Sequence, residues 1–191
     1  LLFIFWTLLT VPTIAFVRAI GFQTARWRRM YCHVLCQLFG IDVILHGRLA
    51  SEKPLLIASN HISYLDILVF GSLLEVEFVS KAEVADWPLF GAMARIGDTV
   101  FIERRRSRTA LARDNMAEHL LEHRSLIFFP EATSGNGNHM LPFKSSLFTL
   151  AESPSLGKKV TVQPAAIAYT RLNGLPVGFG WRPFFAWYGD M

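Results

Sequence analysis

From residue 41 onward, short β-branched segments alternate with helical patterns, and this alternation constrains the fold more than any other feature. Strand-like segments are predicted near residues 41–46, 55–59, 76–80, 99–103, 125–129 and 160–168. Helical patterns are predicted near residues 64–73, 88–95, 107–123 and 145–151. Strands that alternate with helices are typical of an α/β domain with a largely buried sheet. We therefore predict the α/β fold class, with a mixed sheet flanked by helices.

The first 17 residues carry no charge and predict a membrane-associated helix. At 1.5 Å per residue such a helix reaches about 25 Å, short of the roughly 30 Å hydrocarbon core. It is therefore expected either to belong to a longer span or to be half-inserted around Pro12. The arginines follow the apolar run, beginning at Arg18, and the positive-inside rule predicts that everything downstream lies on the cytoplasmic side.

Composition also points to a membrane or a lipid substrate, because 52% of the residues are hydrophobic and the mean hydropathy is +0.33. We expect a membrane-associated helical segment over residues 1–40 and an α/β domain over residues 41–191. The chain begins without Met and stops abruptly, which is read as truncation at both ends. Within the predicted amphipathic helix of residues 23–39, Cys32 and Cys36 share one face, where apolar packing is expected. No metal site is expected.

Residues 58–70, ASNHISYLDILVF, place a histidine and an aspartate between two apolar runs. In one continuous helix five residues rotate through about 500°, so His61 and Asp66 would lie about 140° apart. Ser63 and Asp66, however, match an S-x-x-D capping box, which predicts that the helix begins after His61. His61 can then fold back toward Asp66, as a base does toward its orienting carboxylate. A helix cap that precedes a buried helix is the alternative, and capping alone does not separate the two.

Polar residues also follow three other predicted strands, where open α/β sheets bind ligands. These segments are GDTVFIERRR at 97–106, LIFFPEATSGNGNHMLPFKSSLF at 126–148 and VTVQPAAIAYT at 160–170. No serine or cysteine near His61 is required as a nucleophile, so a base at this position would act on a substrate hydroxyl.

In these segments the chain resembles the glycerophospholipid acyltransferase family, whose bacterial type is lysophosphatidate (1-acylglycerol-3-phosphate) acyltransferase. The NHxxxxD block corresponds to Asn60, His61 and Asp66. The F-I-[DE]-R, F-P-E-G-T-R and V-x-P-[VA] blocks correspond to residues 101–104, 129–134 and 162–165. Further motif residues are Phe101, Pro130 and Pro164. Four blocks in this order, over roughly residues 40–170, make the resemblance specific.

The resemblance implies a glycerol-phosphate acyltransferase-like fold and an O-acyltransferase in which His61, held by Asp66, removes the proton of a lysolipid hydroxyl. The resulting oxygen attacks the thioester of acyl-CoA or of acyl carrier protein, without a covalent acyl-enzyme. Arg104 is implied to contact an acceptor phosphate, and Glu131 with the loop that follows is implied to shape the acceptor site. The remaining candidate acceptor-binding residues are Thr133, Ser134 and Lys144. No cofactor is expected besides the acyl donor.

Two departures from the family pattern concern the acceptor, since Ala132 replaces the usual Gly and Ser134 the usual Arg. Either Arg105, Arg106 or Lys144 replaces the lost phosphate partner, or the headgroup is not phosphatidate-like. The expected acceptor is 1-acyl-sn-glycerol-3-phosphate, giving phosphatidate, and the alternative is a zwitterionic lyso-ornithine lipid.

An inert membrane lipid-binding module is the rival from another functional class. The intact His61–Asp66 pair and Arg104 argue against it. The expected partners are the lipid bilayer, the lysolipid acceptor and, as one candidate donor, acyl carrier protein. The arginine cluster of residues 104–113 has no accompanying nucleic-acid-binding signature, so nucleic acid is not an expected partner.

Overall fold

The structure is a computed structural model that describes residues 1–87, 90–103, 109–145, 148, 151, 156 and 160–187, with the backbone alone at 109–113. The helices are α1 (Leu2–Ala19), α2 (Ala25–Leu38), α3 (Leu65–Leu73), α4 (Phe90–Ile96) and α5 (Thr109–Leu121). The strands are β1 (Leu55–Ser59), β2 (Glu77–Lys81), β3 (Val100–Ile102), β4 (Leu126–Phe128), β5 (Thr161–Ala165), β6 (Arg171–Leu172) and β7 (Leu175–Pro176). Two 3₁₀ helices cover Ala82–Asp86 and Phe179–Phe185. By backbone proximity the chain forms two compact units.

The first unit comprises Leu1–Leu49 and Ile67–Asn115, and its core lies where α1 packs on α2. Ile14, Tyr31 and Leu35 are its buried centre, and the Thr7 Oγ1 atom lies 3.0 Å from the Tyr31 hydroxyl. Strands β2 and β3 pair in parallel in this unit. Asp98 forms ion pairs with both Arg18 and Arg28, and so links the end of α1 to the first turn of α2.

Helix α1 is long and apolar enough to cross a membrane by length and composition. Its 18 residues have a mean hydropathy of 1.8, and 17% of them are buried. The buried positions include Thr7, Thr10 and Ile14, whereas large apolar side chains cover the remaining surface of the helix. This exposed apolar surface agrees with the predicted N-terminal helix.

The second unit comprises Ala50–Asp66 and Met116–Met191, and is organised by three parallel strands. Strand β1 lies between β4 and β5, with Leu56 opposite Leu126 and with Ser59 opposite Ala165. All residues of β1 and β4 are buried, as expected for strands of a sheet covered on both faces. The carboxyl ends of these parallel strands lie at the same edge, and the segment that follows each strand begins there.

The α/β fold class with an apolar N-terminal helix is confirmed. Within the described residues the predicted mixed sheet consists of parallel pairs, and antiparallel pairing is confined to the β6–β7 hairpin. The division at residue 40/41 stays a prediction.

The predicted strand at residues 41–46 is wrong, because that segment has no regular secondary structure. Its apolar residues Ile44 and Leu45 are exposed, and strand propensity is realised only where neighbouring strands provide packing and burial. The predicted strand at 160–168 ends at Ala165. Most of the predicted helix at 145–151 lies outside the described residues.

Candidate active site

The candidate active site is built from the segments that follow β1, β4 and β5 in the second unit. His61 lies two residues after β1, Glu131 follows β4 within the Phe129-Pro130-Glu131 sequence, and Tyr169 follows β5. Because these strands are parallel neighbours, the three segments start at one edge of the sheet. This is the edge at which open α/β sheets bind ligands.

The structure brings His61 and Asp66 together. The His61 Nδ1 and Asp66 Oδ2 atoms are 2.7 Å apart, and the imidazole ring stacks on Phe129 at a centroid distance of 4.0 Å. Asp66 is fully buried, whereas the His61 side chain keeps some solvent exposure. If Nδ1 donates to the carboxylate, Nε2 is left as the ring nitrogen that can accept a proton.

The capping box explains why a residue pair five positions apart can meet. Helix α3 begins at Leu65, and the N–H of Ser63 donates to Asp66 Oδ2 at 3.0 Å, which is the reciprocal bond of a capping box. The N–H of Ile62 donates to the same oxygen at 2.7 Å. The Ser63 hydroxyl accepts from the N–H of Leu65 at a longer 3.4 Å. His61 therefore precedes the helix, and the two sequence interpretations, a cap and a histidine–carboxylate pair, describe the same turn.

Tyr169 was missed by the sequence analysis, although it contacts the same carboxylate. Its hydroxyl donates to Asp66 Oδ1 at 2.6 Å, and its ring stacks on Phe185 at 4.7 Å. The sequence pattern carried no clear signal for it: exposure alternates from Thr161 to residue 169 in the structure, but apolar and polar residue types do not follow that alternation.

Glu131 is buried, and both of its carboxylate oxygens accept hydrogen bonds from the main chain. The N–H of His61 donates to Oε1 at 3.0 Å and the N–H of Leu141 to Oε2 at 2.8 Å. The carbonyl of His61 in turn accepts from the N–H of Gly135 at 2.7 Å. The loop after β4 thus holds the backbone of His61 on both of its polar groups.

Asn60 and Ser134 also make backbone contacts. The Asn60 amide bonds both the N–H and the carbonyl of Ile167, at 2.8 and 3.0 Å, and so extends the β1–β5 pairing beyond its last residue pair. The Ser134 hydroxyl donates to the carbonyl of Trp187 at 2.6 Å. The serine that replaces the arginine of the family pattern is therefore bonded to the segment that follows the 3₁₀ helix of Phe179–Phe185.

The other candidate residues are distributed more widely. Thr133 and Lys144 are exposed, and the Lys144 N–H donates to the carbonyl of the buried Pro130 at 2.8 Å. Pro164 lies in β5 opposite Ala58, and Phe101 lies in β3 of the first unit. Arg104, Arg105 and Arg106 lie outside the described residues.

A cavity of about 90 Å³ lies beside His61. Its lining consists of residues 60–62, Glu131, Gly135 and residues 137–140, none of which is a lysine or an arginine. Among the described residues no cluster of three or more His, Cys, Asp or Glu side chains is arranged to hold a metal ion.

Neither cysteine has the character of a nucleophile. Burial raises the pKa of Cys32 to about 12, with a further contribution from nearby Cys36 and an opposing one from Arg28. Burial also raises the pKa of Cys36, against a hydrogen bond from Ser72. Since the thiolate is the reactive form, these thiols are suited to packing in α2.

Comparison with known proteins identifies the family suggested by the four sequence blocks. A family model described as Acyltransferase matches residues 41–168. The lyso-ornithine lipid O-acyltransferase of Rhizobium meliloti (strain 1021) is 38% identical over 196 residues, which cover 100% of this chain and 67% of that protein. The enzyme of the same name from Brucella abortus (strain 2308) is 39% identical, with 86% of this chain and 65% of that protein covered.

Relatives with another acceptor are also similar to this chain. The 1-acyl-sn-glycerol-3-phosphate acyltransferase of Neisseria meningitidis serogroup B is 40% identical over 119 residues, covering 60% of this chain and 46% of that protein. The crystal structure of the 1-acyl-sn-glycerophosphate (LPA) acyltransferase PlsC from Thermotoga maritima matches with a TM-score of 0.55 at 22% identity. That match covers 78% of this chain and 66% of the other, and shows the fold. The chain spans about two thirds or less of the length of these curated relatives.

Proposed function

Because this chain belongs to the acyltransferase family, we propose that the protein transfers a fatty acyl group from an acyl thioester to the free hydroxyl of a lysolipid. The observation that carries the proposal is the 2.7 Å contact between His61 Nδ1 and Asp66 Oδ2, at the sheet edge formed by β1, β4 and β5. A histidine oriented in this way has one ring nitrogen engaged and the other available to a substrate.

In the proposed reaction Nε2 of His61 removes the hydroxyl proton as the lysolipid oxygen attacks the thioester carbonyl. The carbon–oxygen bond forms, the carbon–sulfur bond breaks, and the imidazolium returns its proton to the departing thiolate. Asp66 stabilises the imidazolium and keeps the ring in one orientation. General-base assistance of this kind contributes about 10²–10⁴-fold in rate. The acyl donor is acyl-CoA or acyl carrier protein, and no acyl-enzyme forms.

For the acceptor we propose lyso-ornithine lipid. Four relatives of that name match 79–100% of this chain, and they include the R. meliloti and B. abortus enzymes. The site geometry agrees, because Ser134 is bonded to the Trp187 carbonyl and no described lining residue of the cavity is a lysine or an arginine. A phosphate group would favour such a cation as a partner.

Lysophosphatidate is the second candidate acceptor. The N. meningitidis relative, which carries that activity in its name, is 40% identical to this chain over 119 residues. Arg104, the residue implied to contact the phosphate, is retained in the sequence. Arg104→Ala is therefore expected to raise the KM for lysophosphatidate about tenfold if this acceptor is used, and to leave lyso-ornithine lipid less affected.

We further propose that the protein acts at the cytoplasmic face of the inner membrane, with α1 inserted in the bilayer. The apolar character of α1 and the arginines that begin at Arg18 support this orientation. A lysolipid acceptor resides in the bilayer, so membrane attachment supplies the substrate.

The test measures transfer from labelled acyl-CoA by the complete purified protein to lyso-ornithine lipid and, separately, to lysophosphatidate. His61→Ala is expected to lower kcat by about 10²–10⁴-fold. His46→Ala, which removes an exposed histidine, is the control and should leave the rate unchanged. Turnover by His61→Ala at the wild-type rate would refute the mechanism. Preference for lysophosphatidate would instead replace the proposed acceptor.

A further inference from the structure

We propose that Tyr169 is a positioning residue for the acyl-transfer reaction: its hydroxyl holds Asp66 so that the carboxylate orients His61. The inference rests on the proposed function for its catalytic meaning, and on the structure for its geometry. Tyr169 lies 103 residues from Asp66 along the chain, and no sequence block of the family includes it.

The hydrogen bonds of Asp66 show what Tyr169 adds. Asp66 Oδ2 accepts from the His61 ring and from the N–H groups of Ile62 and Ser63. Asp66 Oδ1 accepts from the Tyr169 hydroxyl at 2.6 Å, a length typical of an O–H donor to a carboxylate. An ionised carboxylate has about four acceptor positions. Three donors therefore share Oδ2, and Tyr169 supplies the hydrogen bond to Oδ1 of a fully buried carboxylate.

The position of the Tyr169 hydroxyl is set by contacts other than Asp66. The ring stacks on Phe185 with an interplanar angle of 14°, and Ile167, two residues earlier, is bonded through both of its main-chain groups to Asn60. Asn60 directly precedes His61. The residue after β5 that holds the carboxylate and the residue before the histidine are thus joined in one network.

This arrangement separates orientation from folding. The two main-chain N–H donors to Oδ2 keep the turn formed when the tyrosine hydroxyl is removed. Without that hydroxyl, however, the Oδ1 atom loses a charge-assisted bond and the carboxylate gains freedom to rotate. The His61 ring then loses its single orientation, while the acceptor-binding residues keep theirs. A positioning role therefore predicts a change in kcat and not in KM.

The test uses Tyr169→Phe, which keeps the ring that stacks on Phe185. Tyr31→Phe is the matched control, since it also removes a hydroxyl that is hydrogen-bonded to a side chain, that of Thr7. Tyr169→Phe is expected to lower kcat for the preferred lysolipid about tenfold, with KM within twofold of wild type. Tyr31→Phe should leave both constants unchanged. In a His61→Ala background, Tyr169→Phe should cause no further loss, because it acts through the histidine.

A second readout does not depend on turnover. In protein labelled with ¹⁵N-histidine, the Nδ1 and Nδ1–H signals of His61 report the bond to Asp66, and Tyr169→Phe should shift them while Tyr31→Phe should not. An unshifted His61 signal together with wild-type kcat would overturn the proposal. So would an equal further loss of activity in the His61→Ala background. If the wild-type protein transfers no acyl group to any lysolipid, the proposed function fails, and the NMR result alone decides whether Tyr169 orients the pair.

Discussion

Two buried carboxylates, Asp66 and Glu131, organise the turn that carries His61. Asp66 accepts hydrogen bonds from the His61 ring and from the N–H groups of Ile62 and Ser63. Glu131 accepts one from the N–H of His61 itself. An ionised carboxylate accepts well from main-chain N–H groups, and it is costly to bury without such partners. The resemblance implied that Glu131 shapes the acceptor site. Its hydrogen bonds indicate instead that it holds the backbone of His61 in place.

Glu131→Gln should therefore destabilise the protein. A glutamine amide has one acceptor oxygen, so one of the two N–H donors, of His61 or of Leu141, would face an NH₂ group. A buried donor left without its acceptor costs about 1–3 kcal/mol. Chemical denaturation measures this loss, and acyl-transfer kinetics should show a lower kcat.

Glu118→Gln on the exposed face of α5 is the control and should change stability by less than about 0.5 kcal/mol. If Glu131→Gln raised only the acceptor KM at unchanged stability, the carboxylate would contact substrate instead of supporting the turn.

Ala132 adopts a left-handed backbone conformation, with φ at 64°. It is the last residue of a turn that its N–H closes by donating to the Phe129 carbonyl. The F-P-E-G-T-R pattern has glycine here, which adopts this conformation without steric cost. For an L-residue the left-handed region costs about 1–2 kcal/mol. Greater freedom of glycine in the unfolded chain offsets about 0.5–1 kcal/mol of that cost.

Ala132→Gly should thus stabilise the protein by up to about 1 kcal/mol, which corresponds to a rise in Tm of about 2–4 °C for a chain of this size. Ala165→Gly, in the β5 strand, should do the opposite, because glycine weakens a strand. Equal destabilisation by both substitutions would contradict the strain argument.

At the scale of elements, α2 combines a buried apolar face with two thiols. Cys32 lies close to Gly71 of α3, where an added Cβ would approach Sγ to 2.8 Å. Glycine therefore permits the close contact between these parts of the two helices. The raised pKa values of both thiols follow from the same burial.

Stability should consequently decrease at alkaline pH. Below about pH 9, the ordinary value, the thiol of Cys32 holds its proton in both states, and the protein has full stability. As the pH rises from about 9 toward 12, the unfolded chain loses the Cys32 proton first and is favoured, by up to about 1.4 kcal/mol per pH unit for this thiol.

Denaturation curves between pH 8 and 10 measure this slope, and the variant that combines Cys32→Ala with Cys36→Ala should have a flatter one. Iodoacetamide should alkylate the native protein far more slowly than the unfolded chain. Rapid alkylation of native protein at pH 8 would show that the thiols are accessible and ionised.

At the scale of the whole molecule, helix α1 exposes large apolar side chains to solvent. Phe5, Leu8 and Leu9 are each more than half exposed, although burial of such a side chain is worth about 1.5–3 kcal/mol. A bilayer would cover them.

Phe5→Gln combined with Leu8→Gln should therefore reduce the fraction of protein that cosediments with lipid vesicles at least tenfold. The buried positions of α1 are untouched, so the circular dichroism spectrum should stay the same. Ile44→Gln combined with Leu45→Gln removes two exposed apolar residues outside α1 and should have a smaller effect. Vesicle binding that is unchanged by the α1 substitutions would exclude this helix as the anchor.

The sequence by itself determined the features that depend on neighbouring residues. The capping box places His61 before α3, so that the histidine can fold back toward Asp66, five positions further along the chain. The strand–helix alternation identifies the α/β class, because each element carries its own periodicity. The apolar character of α1 and the packing role of the two cysteines also follow from local composition and spacing.

Only the tertiary structure decided the contacts between distant segments. Tyr169 reaches Asp66 over 103 residues, Glu131 reaches the His61 backbone over 70, and Ser134 reaches Trp187 over 53. These contacts require β1 to lie between β4 and β5 in a particular register, and strand order is not encoded in the period of any one strand. The 41–46 segment shows the same dependence, since a strand forms only where a partner completes its hydrogen bonds and covers its apolar side chains.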